Sequence, residues 1–200
     1  MSLKKISSVM LALGLAAAPI AVQAQSDSYT FLKAVRDHDT NQITTLVDQQ
    51  PSIVNSKDYS SGDTALHLAV KGRDNPWLAY FLYKRTRVDV KNKAGQTPLM
   101  LATQIGWDDG AQLLLESGAD PNLTDNSGQT PLIIAVQNHN IQMVRLLIDN
   151  HADPRIKDHI AGRSAIDYAG QDGRSAAILK ILDTAQPAAP KQVVGPMLPR

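Results

Sequence analysis

The stretch Thr97-Pro98-Leu99-Met100-Leu101-Ala102 decides the fold, because similar stretches begin at regular intervals on both sides of it. They begin at Thr64 and Thr130, each 33 residues away, and at Ser164, 34 residues after Thr130, while a degraded copy begins near Tyr29. A fixed period of this size is typical of a stacked array, in which every unit buries its apolar face against its neighbours. The chain is therefore predicted to be a repeat protein.

Each copy also has the composition of a helix start. Threonine at an N-cap accepts a hydrogen bond from a free backbone amide, and Pro98 suits the first helical position, where a missing N–H costs nothing. Leu99 and Ala102 then share a helical face that must be buried. After a turn at Gly106, a second helix is expected, with Asp108 as its N-cap. Helices of about ten residues are too short to be stable alone, so their stability must come from stacking.

These residues resemble the ankyrin repeat, whose signature is Thr-Pro-Leu-His-x-Ala, a turn glycine, a second helix ending in Leu-Leu, and Gly-Ala-Asp-x-Asn. The resemblance covers roughly Tyr29 to Asp183, with His67 at the signature histidine and Gly118–Asn122 at the closing motif. It implies an all-α solenoid of about five stacked helix-turn-helix repeats with hairpin-like loops. The repeats are placed at about residues 29–57, 58–90, 91–123, 124–156 and 157–183.

The two ends of the chain differ from the repeats. Lys4 and Lys5 precede an apolar run that is shorter than the roughly 20 residues of a membrane span, and small residues follow up to Ala24. Residues 1–24 are therefore predicted to be a signal peptide of bacterial length, which directs the repeat domain (25–183) to the periplasm. Residues 184–200 are proline-rich and are expected to form a flexible tail or, alternatively, an extended partner-binding peptide.

Composition excludes several classes of function. The chain has no cysteine, which excludes disulfides, thiolate metal sites, cysteine nucleophiles and lipidation at a lipobox. Removal of Lys4 and Lys5 with the signal peptide leaves 18 basic residues against 19 acidic ones. A nearly neutral chain gives no electrostatic reason to bind nucleic acid or a membrane.

Departures from the repeat pattern mark places of strain or function. Arg73 and His139 replace the turn glycine, and Arg85 and His151 replace the glycine after the second helix. Each costs on the order of 1 kcal/mol if the backbone keeps a positive φ, unless a neighbour such as Gly72 takes over the turn. The longer spacings place extra residues in two hairpins, at 59–61 and 159–161.

Both tryptophans are expected to pack. Trp77 and Gly110 are equivalent positions in neighbouring repeats, which predicts that Trp77 is largely buried and fills the space beside Gly110. Trp107 lies between two helices and is read as a packed loop residue, with a partly exposed binding anchor as the alternative.

No catalytic set can be assembled from the sequence. The resemblance implies a structural hydrogen bond for His67, and Asp108 and Asp109 suit a helix start better than a carboxylate pair. A nucleophile elbow and a phosphate loop are both missing. We therefore expect no enzyme activity and no cofactor. The alternative is a metal site formed by three histidines in turns: His139, His151 and His159.

Family resemblance also implies where a ligand binds, because related proteins use hairpin tips and the exposed, concave side of the first helices. The equivalent side chains here are mixed in charge and rich in amides, which suits a protein partner. We call this set the polar row: Tyr59, Asp63, Lys71, Lys93, Gln96, Gln104, Asn126, Gln129, Gln137, Asn138, His159, Arg163, Gln171 and Asp172.

The expected function is a non-catalytic, monomeric, periplasmic module that binds one protein partner. Resemblance suggests two roles, an immunity protein that neutralises a toxin or a support factor for a periplasmic stress enzyme such as catalase. Two alternatives from other classes remain: a self-associating structural repeat protein, and a metal-dependent enzyme.

Overall fold

The protein folds into short helices joined by tight turns and hairpin loops. The computed structural model describes residues 17–84 and 86–184, with side chains from residue 27 onward. Within this part of the chain there are no β-strands, only one isolated bridge between Lys157 and Ser164. The helices are α1 (Ala17–Asp37), α2 (Thr40–Gln49), α3 (Ala65–Lys71), α4 (Asn75–Tyr83), α5 (Pro98–Gln104), α6 (Asp108–Glu116), α7 (Pro131–Gln137), α8 (Ile141–Asp149), α9 (Ala165–Gln171) and α10 (Ala176–Thr184), with 3₁₀ turns at Pro51–Asn55 and Gly173–Ser175.

The ten helices form five consecutive pairs, and the pairs stack in chain order. Each odd-numbered helix packs on the next odd-numbered one, and α4, α6, α8 and α10 do the same in a second layer. From the second pair onward the first helices have seven residues and the second helices nine, slightly fewer than the ten expected. The prediction of an all-α repeat solenoid is confirmed.

Capping residues define where the first helices begin. Thr97 Oγ1 accepts a hydrogen bond from the Met100 amide at 3.3 Å, and Thr130 Oγ1 accepts one from the Ile133 amide at 3.2 Å. Ser164 does the same in the last pair. Proline occupies the first turn of α5 and α7 as predicted, because its fixed φ suits a helix start.

His67 joins two neighbouring repeats from a fully buried position. Its Nε2 lies 3.0 Å from the carbonyl oxygen of Gln96, so Nε2 carries the proton and donates. Its Nδ1 therefore accepts, from the Thr64 amide at 3.2 Å and from the Thr64 hydroxyl at 2.8 Å. The predicted structural role of this histidine is confirmed.

The turn between the two helices of a repeat keeps its left-handed backbone even without glycine. His38, Arg73 and His139 have φ values of 56°, 50° and 54°, close to the 62° of Gly106 at the equivalent position. Gly72 does not take over the turn, since its φ of −81° is right-handed. His151 also has a positive φ, of 67°, whereas Arg85 lies outside the described residues.

The three non-glycine turn residues contact the next repeat. His38 Nδ1 lies 3.1 Å from Asp74 Oδ2, and His139 Nε2 lies 3.2 Å from Asp172 Oδ2. The Arg73 guanidinium donates to the carbonyl oxygen of Ile105. A polar side chain at this position therefore adds an inter-repeat contact, which offsets part of the roughly 1 kcal/mol cost of a left-handed residue.

The tryptophan predictions need a correction. Trp77 is half-buried and stacks on Phe81, with ring centroids 5.5 Å apart, but the group nearest to Gly110 is the Trp107 indole. A Cβ on Gly110 would lie 2.2 Å from that ring. Trp107 is only 7% exposed, which confirms the prediction that it is packed. The N-cap of α6 is Trp107, however, and not Asp108 as predicted. The indole lies where α2, α4 and α8 have a polar N-cap, and it fills the space beside Gly110.

Predictions for the chain ends extend beyond the described residues. Residues 1–16 of the signal peptide and residues 185–200 of the tail lie outside them, and α1 continues from Ala17 past Ala24. Among the described helices, none combines the length and the apolar character needed to cross a membrane. Export and the division into signal, repeat domain and tail stay predictions.

The His67 bridge predicts a pH dependence of stability. Burial lowers the pKa of His67, against the opposing hydrogen bond to Gln96. Because the unfolded chain binds a proton near pH 6.5 and the folded chain does so only at lower pH, the free energy of unfolding falls as the pH drops from about 7 to 5. His67→Gln should remove this part of the slope and lower stability at pH 7.5 by about 1–3 kcal/mol.

Urea unfolding at pH 7.5, 6.5 and 5.5 measures both effects. His159→Gln is the control, because His159 is exposed at a hairpin tip and should leave the wild-type slope unchanged. A His67→Gln variant that keeps the full wild-type pH dependence would show that His67 is not the group responsible.

Candidate protein-binding surface

Four hairpins lie side by side along one edge of the stack, and they differ in size. In hairpins 2 and 3 the first residue bonds to the residue four positions later, Asn92 to Gln96 and Asp125 to Gln129. Hairpins 1 and 4 each hold one more residue, because their closing bonds join residues five positions apart. The four hairpins are Asp58–Asp63, Asn92–Gln96, Asp125–Gln129 and Asp158–Arg163. The predicted sites of both insertions are confirmed.

The side chain of the first residue in every hairpin accepts hydrogen bonds from backbone amides of the same hairpin. The Asp58 carboxylate accepts bonds from the amides of Ser60 and Ser61, and Asn92 and Asp125 accept equivalent bonds. Asp158 Oδ1 accepts three amide bonds, from residues 160, 161 and 162. Although burial opposes it, the Tyr168 hydroxyl and these amides keep the pKa of Asp158 below its usual value. Each hairpin backbone is therefore held in one conformation.

Backbone bonds also join each hairpin to the next. The Lys93 amide donates to the Ser61 carbonyl at 2.9 Å, and the His159 amide donates to the Ser127 carbonyl at 2.9 Å. Hairpins 2 and 3 are linked by the Asn126 amide and the Ala94 carbonyl, at 3.3 Å. The tips consequently form one continuous, rigid edge.

One polar contact recurs in three successive repeats of the polar row. Each contact joins the last residue of a hairpin to the last residue of the following first helix, eight positions on. Lys71 Nζ lies 2.5 Å from Asp63 Oδ2, Gln96 Nε2 donates to Gln104 Oε1 at 3.1 Å, and Gln129 Nε2 donates to Gln137 Oε1 at 3.3 Å. The structure thus brings six of the predicted residues together in three matched pairs.

Asp63 has a different position from the one that the polar row implies. It is only 2% exposed, and it accepts bonds from Lys71 and from Asn92 Nδ2, the latter at 3.0 Å. Burial would raise the pKa of Asp63, but the hydrogen bonds from Lys71, Asn92 and Ser61 outweigh it and keep the pKa low. This carboxylate therefore orients Lys71 and does not itself face a ligand.

Tyr59 and Lys93 meet between the first two hairpin tips. The Lys93 ammonium lies 5.2 Å from the centre of the Tyr59 ring, and the tyrosine is 84% exposed. Such a cation–π contact orients the ring without covering it. Asn126 and Asn138 donate to backbone carbonyls of the preceding repeat, those of Lys93 and Gln104.

The part of the polar row that lies in the last repeat has different contacts. The Arg163 guanidinium lies 5.9 Å from the centre of the Tyr168 ring, and Gln171 is exposed at the end of α9. Asp172 accepts a bond from the Arg174 amide, which is the main reason why its pKa lies below the usual range. The paired glutamines of the middle repeats have no counterpart here.

Most of the polar row faces solvent. Gln96, Gln129 and Asp172 are half-buried and Asp63 is buried. The other ten are exposed: Tyr59, Lys71, Lys93, Gln104, Asn126, Gln137, Asn138, His159, Arg163 and Gln171.

Sequence reasoning left two kinds of residue out of the polar row. Ile160 is 78% exposed at the tip of hairpin 4, and the insertion at 159–161 was the signal that could have identified it. Arg73 and His139 extend over the turns at the ends of α3 and α7, and their departure from glycine was the corresponding signal.

One side-chain cluster has the composition of a hydrolytic site. His139 Nδ1 lies 3.3 Å from Ser175 Oγ, and Asp172 bonds the other ring nitrogen. Ser175, however, is 1% exposed, so no substrate can reach its hydroxyl. Over the described residues no group of three or more acidic or histidine side chains is arranged to hold a metal ion. The cluster ties the turn after α7 to the last helical pair.

Comparison with known proteins gives a consistent result. A family model described as ankyrin repeats (three copies) matches residues 31–125, 69–158 and 108–189. The chain is 42% identical over 64 residues to the ankyrin repeat and KH domain-containing protein mask-1 of Caenorhabditis elegans. It is 40% identical over 60 residues to the poly(ADP-ribose) polymerase tankyrase of the same organism, and 31% identical over 101 residues to the putative ankyrin repeat protein FPV031 of fowlpox virus.

These alignments cover 32%, 30% and 50% of this chain, respectively. They span only 2%, 3% and 30% of the relatives.

The buried Asp63 predicts a stability effect that depends on pH. Asp63→Asn should lower the free energy of unfolding at pH 7 by about 1–3 kcal/mol, because it removes a charged partner of Lys71. The aspartate contribution is complete above the unfolded pKa near 3.9 and is lost as the pH falls through the lower folded pKa. The difference between the proteins should therefore shrink at pH 3. Urea unfolding at both pH values tests this, with the exposed Asp149→Asn as control, and equal stability at pH 7 would contradict it.

The linked hairpins predict a graded effect of alanine at two glycines. Gly95 and Gly118 have φ values of 79° and 91°, so alanine is strained at both, by about 1 kcal/mol. At Gly118 a Cβ meets nothing within 4 Å, whereas at Gly95 it would lie 2.6 Å from the Asn126 amide nitrogen. Gly95→Ala should therefore cost about 1–3 kcal/mol more than Gly118→Ala in urea unfolding. Equal costs would show that contact between the hairpins adds nothing.

Proposed function

Because the chain belongs to the ankyrin repeat family, we propose that it is a non-catalytic module that binds a protein partner through the polar row. The observation that carries the proposal is the recurring contact between hairpin end and first-helix end in three successive repeats. A contact repeated in this way presents one exposed polar side chain in each repeat at one spacing, namely Lys71, Gln104 and Gln137, as an extended recognition surface requires.

The chemistry of this surface favours a protein ligand. In the pair Gln96–Gln104 one donor and one acceptor bond to each other, and the remaining amide groups are available to a ligand. The pair Gln129–Gln137 makes the same bond, and Gln137 also bonds to the Tyr168 hydroxyl of the next repeat. Lys71 is partly neutralised by Asp63 beneath it, so this part of the surface has no strong field for a polyanion.

A rigid surface also lowers the cost of binding. The hairpin backbones are fixed by the bonds that Asp58 and Asp158 accept and by the bonds between neighbouring tips. A preorganised surface loses little conformational entropy when a ligand binds, so more of the contact energy appears as affinity.

We further propose that the chain is exported to the periplasm, on the strength of Lys4, Lys5 and the apolar run after them. In that compartment the partner could be a toxin that the chain neutralises or a stress enzyme that it supports. Both roles would use the same surface, so the binding experiment applies to either.

The glutamine pairs can be tested directly. Photo-cross-linking in intact cells, from a benzophenone side chain placed at Asn138, identifies the partner, which is then purified. Gln104→Ala and Gln137→Ala should each weaken its affinity about 2- to 10-fold, since each removes a hydrogen-bonding group of modest net value. Isothermal titration calorimetry measures the change.

Gln112→Ala is the matched control, because Gln112 is an exposed glutamine on α6, in the second layer. The proposal fails if Gln112→Ala weakens binding and the polar-row variants do not. It also fails if the cross-linked product is a second copy of this chain and light scattering shows a dimer that the Gln104 and Gln137 variants dissociate.

A further inference from the structure

The two enlarged hairpins share a feature that the two shorter ones do not have. Hairpin 1 carries Tyr59, 84% exposed, and hairpin 4 carries Ile160, 78% exposed. At the corresponding tips the shorter hairpins carry small or polar side chains, Lys93 and Ala94 in hairpin 2 and Asn126 and Ser127 in hairpin 3. The extra residue and the large apolar side chain therefore occur together, twice.

Both apolar tips are held in place although no described residue covers them. The amide of Ile160 and those of the next two residues donate to Asp158, and Ser60 and Ser61 donate to Asp58 beside Tyr59. Lys93 further orients the Tyr59 ring. An exposed apolar side chain on a fixed backbone is a favourable contact point, because its burial gains hydrophobic energy with little ordering cost.

The distance between the tips indicates the size of the ligand. Hairpin 4 is the third hairpin after hairpin 1 along the edge of linked hairpins. Because packed helices lie about 8–10 Å from their neighbours, the tips of hairpins 1 and 4 are about 25–30 Å apart. A standard protein interface of about 800 Å² per partner is roughly as wide. One globular protein can therefore cover both tips.

The surface between the tips limits the charge of the ligand. The glutamine pairs there are neutral and the charge of Lys71 is met by Asp63, whereas Lys93 leaves an exposed positive charge beside Tyr59. The complementary surface is therefore polar between its two apolar points, and it is neutral or weakly acidic where it meets Lys93.

From these observations we infer that the partner is a single folded protein held at two apolar points about 25–30 Å apart, at Tyr59 and Ile160, with a polar region of low charge between them. This inference rests on the proposed function and adds the chemistry of the partner. According to this inference, the affinity depends chiefly on the two enlarged hairpins and less on the glutamine pairs.

The experiment begins with the full chain in its native cells. A benzophenone side chain is placed at position 59, at position 160 and, as control, at Glu116 on α6. The same protein should be cross-linked at 59 and 160 and absent at 116. Different proteins at the two tips, a product with the mass of two copies of this chain, or no product at either tip would each overturn the inference.

Titration of the purified partner gives the quantitative test. Tyr59→Ser and Ile160→Ser should each weaken binding about 10- to 100-fold, and the double variant should show nearly the product of the two effects, because distant sites act independently. Tyr83→Ser and Ile141→Ser are the matched controls, since these exposed side chains, 82% and 41%, belong to second-layer helices and should leave the affinity unchanged.

The outcomes separate this inference from the proposed function. If Gln104→Ala and Gln137→Ala weaken binding while Tyr59→Ser and Ile160→Ser do not, the polar row binds the partner and the two-point inference is wrong. If neither set weakens the binding of a partner that does bind, both fail. Circular dichroism of every variant shows whether the fold is retained.

Discussion

The structure depends on contacts between repeats, because none of the described helices from the second pair onward is long enough to be stable alone. First helices of seven residues and second helices of nine are well below the 12–15 at which an isolated helix becomes marginally stable in water. Each pair therefore needs a neighbour on which to bury its apolar face. His67 is an example of such a contact, because its buried ring bonds both to the cap of its own helix and to the hairpin of the next repeat.

The same dependence explains how the chain tolerates departures from the repeat pattern. Left-handed turns at His38, Arg73 and His139 would ordinarily favour glycine, yet each side chain makes a polar contact with the following repeat. A local cost is thus offset by a contact that exists only in the stack. Trp107 is a similar case within a single repeat, because α6 has no polar N-cap and the indole instead packs over Gly110.

The candidate surface is a consequence of how the repeats are joined. The bonds that link one hairpin to the next also fix the direction of the tips, and the helix caps place the last residue of each first helix beside a hairpin end. Variation in the hairpins then changes the surface without changing the stack. Hairpins 1 and 4 show this, because one added residue in each accompanies an exposed apolar tip.

The sequence by itself determined the fold class, the helix caps at Thr97 and Thr130, and the positions of both insertions, because these depend on period and local backbone chemistry. It also indicated which side chains lie along the hairpin edge. Only the tertiary structure decided that Asp63 is buried under Lys71 and that Trp107, not Trp77, packs on Gly110. Those facts depend on distances between atoms that the chain brings together only when it folds, and a repeat alignment shows which positions are equivalent but not which of their side chains touch.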